Sequence, residues 1–263
     1  PFMTRYTGGT VQSRDAALAI NLAGGGGFEI WQYTSRTPEG PAKQIELGDL
    51  GVFAVRMKSA HVATAYTGLK ESKGEILGGI AKAPSGGEHF FVKDPYGNIF
   101  DVVYADSSEF FSSQKANTGG VEGVMIGVSD MERSLQFYQS LLGFDRVVYD
   151  EEGSFEDLTA LPGGDRKVRR VLLERATPAN GWFSALFAPN RLELIMATEY
   201  QGTPIFESRL WGDLGFIHLC FDVWGMNELK EACASAGHAF TVDSNETFEM
   251  GEAGGRFSYI EDP

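Results

Sequence analysis

"VEGVMIGVSDMERSLQFYQSLLGF", residues 121–144, decides the fold class. It opens as a short apolar strand. Asp130 then stands where a helix N-cap belongs, and Leu135, Tyr138 and Leu142 follow at helical spacing with Phe137 and Leu141 beside them. Gly143 closes the helix. Downstream, strands are expected at 146–150, 168–175, 182–187 and in "RLELIMA" at 191–197. A further strand is read in "FIHLCFDV" at 216–223, then a helix over 226–236 ended by Gly237. A strand, a helix and several strands, occurring twice, predict an α+β fold built on antiparallel hairpins.

A second stretch, "HFFVKDPYGNIFDVVY" at 89–104, reads as two strands around a turn. Pro95 presets φ, Gly97 or Asn98 accepts positive φ, and Asp94 can bond back to the backbone. On the outgoing strand Ile99, Asp101 and Val103 share one side, which puts an acid among apolar residues.

The chain repeats itself. "FEIW" at 28–31 matches "LELI" at 192–195, and "GDLGVFAV" at 48–55 matches "GDLGFIHL" at 212–219. Glu29 to Asp49 and Glu193 to Asp213 are both 20 residues apart (49 − 29 and 213 − 193). Each copy ends in Asp-Pro, at Asp94 and Asp262. A Ser/Asn/Gly-rich linker over 106–119 separates a first module, 1–105, from a second, 120–263. Compared with each other, the first lacks an opening strand and helix and the second a last strand. The chain is therefore expected to continue before Pro1 and after Pro263.

Composition narrows the function classes. With 43% hydrophobic and 12% aromatic residues the chain is globular. A net charge of −14, with no long basic run, argues against nucleic acid and anionic membrane as partners. Cys220 and Cys233 form neither a disulfide framework nor a C-x-x-C pair, and no 18-residue apolar span occurs, so the cytoplasm is the expected compartment. The four glycines at 24–27 lack a following G-K-[ST] and read as a loop. His61 falls on a helix, His89 opens a strand with no evident orienting acid, and His238 follows a helix-ending glycine.

"GVMIGVSDMERSLQFYQSLLGF" and "HFFVKDPYGNIFDVV" resemble the vicinal oxygen chelate superfamily, which includes glyoxalase I-like lyases, extradiol dioxygenases, epimerases and bleomycin-resistance proteins. The resemblance implies modules of paired βαβββ units curled into an open cup. It also implies a divalent metal (Zn, Mn, Fe or Ni) chelated by the substrate's adjacent oxygens. The four ligand positions carry over unevenly. The first falls on Gly123, which has no ligand atom. The second falls on Glu193 and, in the first module, Glu29; the third on His218, with Ala54 as its counterpart; the fourth on Asp101. Glu193 and His218 are thus the expected metal ligands, with Glu193 also a general base. Asp101, opposite Ala54, is expected to serve no metal. Cys220, Phe216 and Trp182 are the expected substrate-side residues. The implied activity is metal-assisted lyase, isomerase or oxygenase chemistry on a small oxygenated molecule, by a monomer or homodimer. The alternative is metal-free sequestration of a small ligand.

Overall fold

The computed structural model describes residues 2–112, 116–245, 248–250 and 253–263. A hairpin of β1 (Arg14–Ala19) and β2 (Phe28–Tyr33) comes first. It is followed by β3 (Gly51–Ser59), α1 (Val62–Glu71), β4 (Glu75–Lys82), β5 (Glu88–Lys93) and β6 (Ile99–Tyr104). The same order returns as β7 (Val121–Gly127), α2 (Met131–Leu142), β8 (Arg146–Gly153), β9 (Val168–Glu174), a helical turn α3 (Ser184–Phe187) and β10 (Arg191–Ala197). Then come α4 (Met226–Ser235) and the short strands β11 (Val242–Asp243), β12 (Phe248–Met250), β13 (Ala253–Gly255) and β14 (Ser258–Tyr259). β11 pairs with β14, and β12 with β13.

Local chemistry forms the elements that the sequence made most legible. The Asp130 carboxylate accepts the Arg133 N–H at 3.1 Å and caps α2, and Gly143 ends it at φ +72°. In the β5–β6 turn Asp94 accepts the N–H groups of Tyr96 and Asn98, both at 2.8 Å, and Gly97 takes φ +90°.

The two strand–helix–three-strand units join in one curled sheet, in the order β4-β5-β6-β3-β7-β10-β9-β8. The order mirrors itself about an antiparallel β3–β7 seam, and each opening strand runs parallel to the last strand of its own unit. The α+β fold expected from the sequence is the fold observed. Its eight-stranded sheet draws strands from both sides of the 106–119 segment.

Alternation along the strands separates two faces. On the outer face α2 lays Met131, Leu135, Phe137 and Tyr138 against Val124, Ile126, Val171, Leu173, Leu192 and Leu194. Under α1, Val62 and Ala65 cover Phe90 and Val102. Burial of each large apolar side chain contributes about 1.5–3 kcal/mol. The inner face is apolar at one end, where Leu47, Ala54, Phe91, Met125 and Ile195 cluster, and charged at the other.

The repeated Gly-Asp-Leu-Gly turns clasp one another. Asp49 accepts the Glu46 N–H and, through its other oxygen, the Thr203 N–H, both at 3.0 Å. Asp213 accepts the Leu210 N–H at 2.7 Å and the Glu39 N–H at 2.8 Å. Each aspartate closes its own turn and also holds a backbone group ten residues ahead of the other aspartate (213 − 203 and 49 − 39).

Two expected strands are absent. Residues 182–187 hold the turn α3, with the Phe183 and Phe187 rings 5.8 Å apart and tilted one turn from each other, so the apolar run reflects a helical contact. Residues 216–223 form no strand, because no neighbouring strand pairs with them among the described residues; Phe216 packs edge-on against Phe100 instead.

Gly123 has a packing reason. A Cβ there would fall 1.6 Å from the Arg191 carbonyl oxygen. Gly123→Ala must separate β7 from β10 and is expected to cost about 3 kcal/mol. A urea midpoint unchanged from wild type would contradict this contact.

Candidate functional site

Four adjacent central strands each send one charged side chain to a common point: Asp101 from β6, Arg56 from β3, Glu122 from β7 and Glu193 from β10. All four are at most 5% exposed. Glu122 arrives there through a bulge: Arg56 pairs with Gly123 and Met57 with Val121, which leaves Glu122 as the extra residue. The Arg56 guanidinium donates from Nε to Glu122 at 2.7 Å and from Nη1 to Glu193 at 2.5 Å, and Nη1 lies 3.5 Å from Asp101.

These contacts belong to a closed ring of alternating charge. From Arg56 it passes to Glu193, then to Arg170 Nε at 2.8 Å and on to Asp157, where Arg170 Nη1 donates to both oxygens at 2.8 and 3.0 Å. Asp157 Oδ2 lies 3.2 Å from His89 Nε2, close enough to pair ionically though too poorly aligned for a hydrogen bond. His89 Nδ1–H donates to Asp101 at 2.8 Å, and Asp101 returns to Arg56. Tyr149 adds its hydroxyl to Glu193 at 2.7 Å. Three contacts, Arg56–Glu193, Arg56–Glu122 and His89–Asp157, cross between the units.

Burial opposes the charges of Arg56, Arg170, Glu193, Asp157 and His89, and their neighbours outweigh it. Arg170 and Arg56 hold the Glu193 carboxyl below its ordinary range. Arg56 and Arg191 do the same for Glu122. Asp101 and Asp157 push His89 up to about 9 against its burial. Beside the ring lies a cavity of about 580 Å³, lined by Arg56, His89, Glu122, Arg191, Lys82 and Glu88 among others.

His218 lies elsewhere. Its Nε2 meets Glu29 Oε2 of β2 at 3.1 Å, and its ring stacks on Trp211 at 5.1 Å. Trp31 lies 5.0 Å away and Tyr259 closes an edge at 5.8 Å. The hydrogen bond from His218 holds the Glu29 carboxyl below its usual range against burial. His218 Nδ1 is buried with no hydrogen-bond partner. Arg14 lies over Trp31 at 4.1 Å.

The structure therefore does not bring Glu193 and His218 together. Glu193 belongs to the arginine ring and His218 pairs with Glu29. Asp101, expected to serve no metal, is hydrogen-bonded to His89 and lies 3.5 Å from Arg56, and the acids beside His89 are Asp101 and Asp157. Cys220 is exposed, but the protein around its thiol, then Glu29 and Asp222, push it up to about 11, so it stays protonated at neutral pH. Phe216 is partly buried against the core under α2 and against Phe100, and Trp182 is 90% exposed. Sequence reading missed Arg56, Arg170, Tyr149, Glu122 and Asp157. An arginine within the apolar run "GVFAVRM" was the available signal.

The sequence profile of the Glyoxalase/Bleomycin resistance protein/Dioxygenase superfamily matches residues 120–263, more than half of the chain. The chain belongs to this superfamily. A provisionally assigned dioxygenase from Bacillus subtilis is structurally similar at TM-score 0.54 and 14% identity, covering 89% of this chain and 67% of its own. A glyoxalase I variant from Zea mays has TM-score 0.50 and 14% identity, covering 91% of this chain and 71% of its own. Another Zea mays variant, at TM-score 0.45 and 16% identity, covers 71% of this chain, which spans only 56% of that protein. At these identities the likeness is one of fold. No curated protein sequence matches the chain. No helix among the described residues is long and apolar enough to cross a membrane.

The ring makes stability pH-dependent. His89 titrates near 9 when folded and near 6.5 when unfolded, so its contribution is complete below about 6.5 and lost as pH rises through 9. Urea unfolding of the wild type should show this decline between pH 6.5 and 9, and His89→Gln should flatten it. Glu193→Gln, which leaves Arg56 and Arg170 short of a charge, should cost about 3–5 kcal/mol at neutral pH. A near-neutral effect would mean the ring is not structural.

Proposed function

We propose that this chain acts on a small oxygenated molecule at Glu29 and His218, by proton transfer of the lyase or isomerase kind. The observation that supports this reading is their 3.1 Å contact across 189 residues of sequence. It is the contrast with Glu193 that gives it weight. Glu193 is fully buried with its oxygens committed to Arg56, Arg170 and Tyr149, whereas the Glu29 side chain is 39% exposed.

Glu29 is placed to accept a proton from a carbon beside a carbonyl, as a carboxylate whose basicity the hydrogen bond from His218 reduces. His218 fixes the direction of that carboxylate. Trp31 and Trp211 flank the imidazole and offer flat apolar walls to a planar ligand. Cys220, a thiol at neutral pH, is no nucleophile here.

The family resemblance implies a divalent metal. Glu29 and His218 would supply an oxygen and a nitrogen donor, but protein sites usually offer at least three. Among the described residues no three His, Cys, Asp or Glu side chains form a metal-ligand set. They do not by themselves fit a metal. The aromatic enclosure of His218 also favours a second reading, in which the site holds its ligand without turnover.

Carbon–hydrogen exchange in D2O, followed by NMR across a panel of 2-oxo and 2-hydroxycarbonyl compounds, tests both. The expected result is exchange that falls about 100-fold or more in Glu29→Gln and His218→Ala and survives EDTA. Exchange that persists in Glu29→Gln would refute the proposal. Loss on chelation, restored by Zn, Mn, Fe or Ni, would assign the chemistry to a metal. Ligand binding without exchange would favour sequestration.

A further inference from the structure

The ring poses a separate question, independent of the Glu29–His218 reading. Asp101, Glu122 and Glu193 are three carboxylates on three strands, each at most 1% exposed. Three converging carboxylates in a dry interior repel one another strongly unless a cation lies between them. Carboxylate oxygens are the donors that hard divalent cations take. Here the central position is filled from within the chain. Arg56, from the fourth central strand, sets its guanidinium among all three, at 2.5 Å from Glu193, 2.7 Å from Glu122 and 3.5 Å from Asp101.

We propose that Arg56 is the resident cation of the eight-stranded cup, standing where a metal would otherwise balance these acids, and that this cup is closed to divalent metal by its own side chain. Several features fit this role. Register sets Arg56 directly beside Asp101, and the β7 bulge turns Glu122 rather than Gly123 toward it. Glu122 and Glu193 are both held ionised by arginines, so neither needs a metal to carry its charge. The guanidinium is planar and always charged, and its fixed fork serves Glu122 and Glu193 through different nitrogens. It supplies hydrogen-bond donors to the 580 Å³ cavity that it lines, but no Lewis acid.

The test uses the full chain in a His218→Ala background, which removes any ion held at the other site. After dialysis against Mn²⁺ or Ca²⁺, the His218→Ala protein should retain no ion. Adding Arg56→Gln, which deletes the cation but keeps an amide oxygen, should create uptake of one ion per chain. Its melting temperature should then rise by about 5–10 °C at ion concentrations a hundredfold above Kd. Glu193→Gln in that variant should abolish both effects. Arg56→Lys, which keeps the positive charge, should fold and take up nothing. A folded Arg56→Gln protein that ignores both ions would overturn the proposal. So would an ion held by His218→Ala alone and lost on Glu193→Gln. If Arg56→Gln does not fold, metal content of the His218→Ala and His218→Ala/Glu193→Gln proteins decides: an ion lost with Glu193 refutes, and none in either supports.

Discussion

The contact between Arg56 and Glu193 is the interaction on which the rest of the sheet depends. It spans the seam between the two strand–helix–three-strand units and joins β3 to β10 across β7. Neither group could be buried alone, since an unpaired ion in an apolar interior carries a desolvation penalty of several kcal/mol. Each therefore requires the other, and each also requires its remaining partners: Arg170 and Tyr149 for Glu193, Glu122 and Asp101 for Arg56. The apolar layers under α1 and α2 would hold each unit to its own helix. The ring and the apolar inner cluster hold the units to each other.

Much of this was legible because it is local. The cap at Asp130, the helical spacing behind it and the Asp94 turn are written in consecutive residues, and they formed as read. Asp101 could be recognised as an inward-facing acid from strand parity alone. Its partners could not, because His89 lies across the hairpin and Arg56 on a separate strand. Glu193 and His218 were each identifiable as polar residues within apolar runs, but which carboxylate meets the imidazole depends on how the units dock. Equal 20-residue spacings suit pairing within a half and pairing between halves equally well. The fold chose the second for His218, which meets Glu29. The run at 216–223 misled for a similar reason: a strand needs a neighbour, and sequence does not supply one.

The two clusters divide the chemistry between them. In the ring, opposite charges satisfy one another, which fixes geometry and leaves little reactivity. Around His218 the carboxylate remains partly open to solvent, one imidazole nitrogen is unpartnered, and aromatic faces replace counter-charges. The same residue types thus yield a clamp in one place and a candidate reactive pair in the other. The difference lies in how arginines reach them: Arg56 and Arg170 hydrogen-bond Glu193, whereas Arg14 acts on Glu29 from a distance.

The mirrored sheet also constrains how the chain assembles. Arg56 waits for a partner 137 residues downstream, and Glu29 for one 189 residues away. A ribosome emits the N-terminal half first, so β3 to β6 emerge with Arg56, His89 and Asp101 still lacking Glu193 and Asp157. Until β7 arrives, the edge of β3 has no strand to take its hydrogen bonds. Such long-range closure gives a high contact order and slow folding, with the half-made sheet exposed to stray pairing in the interval.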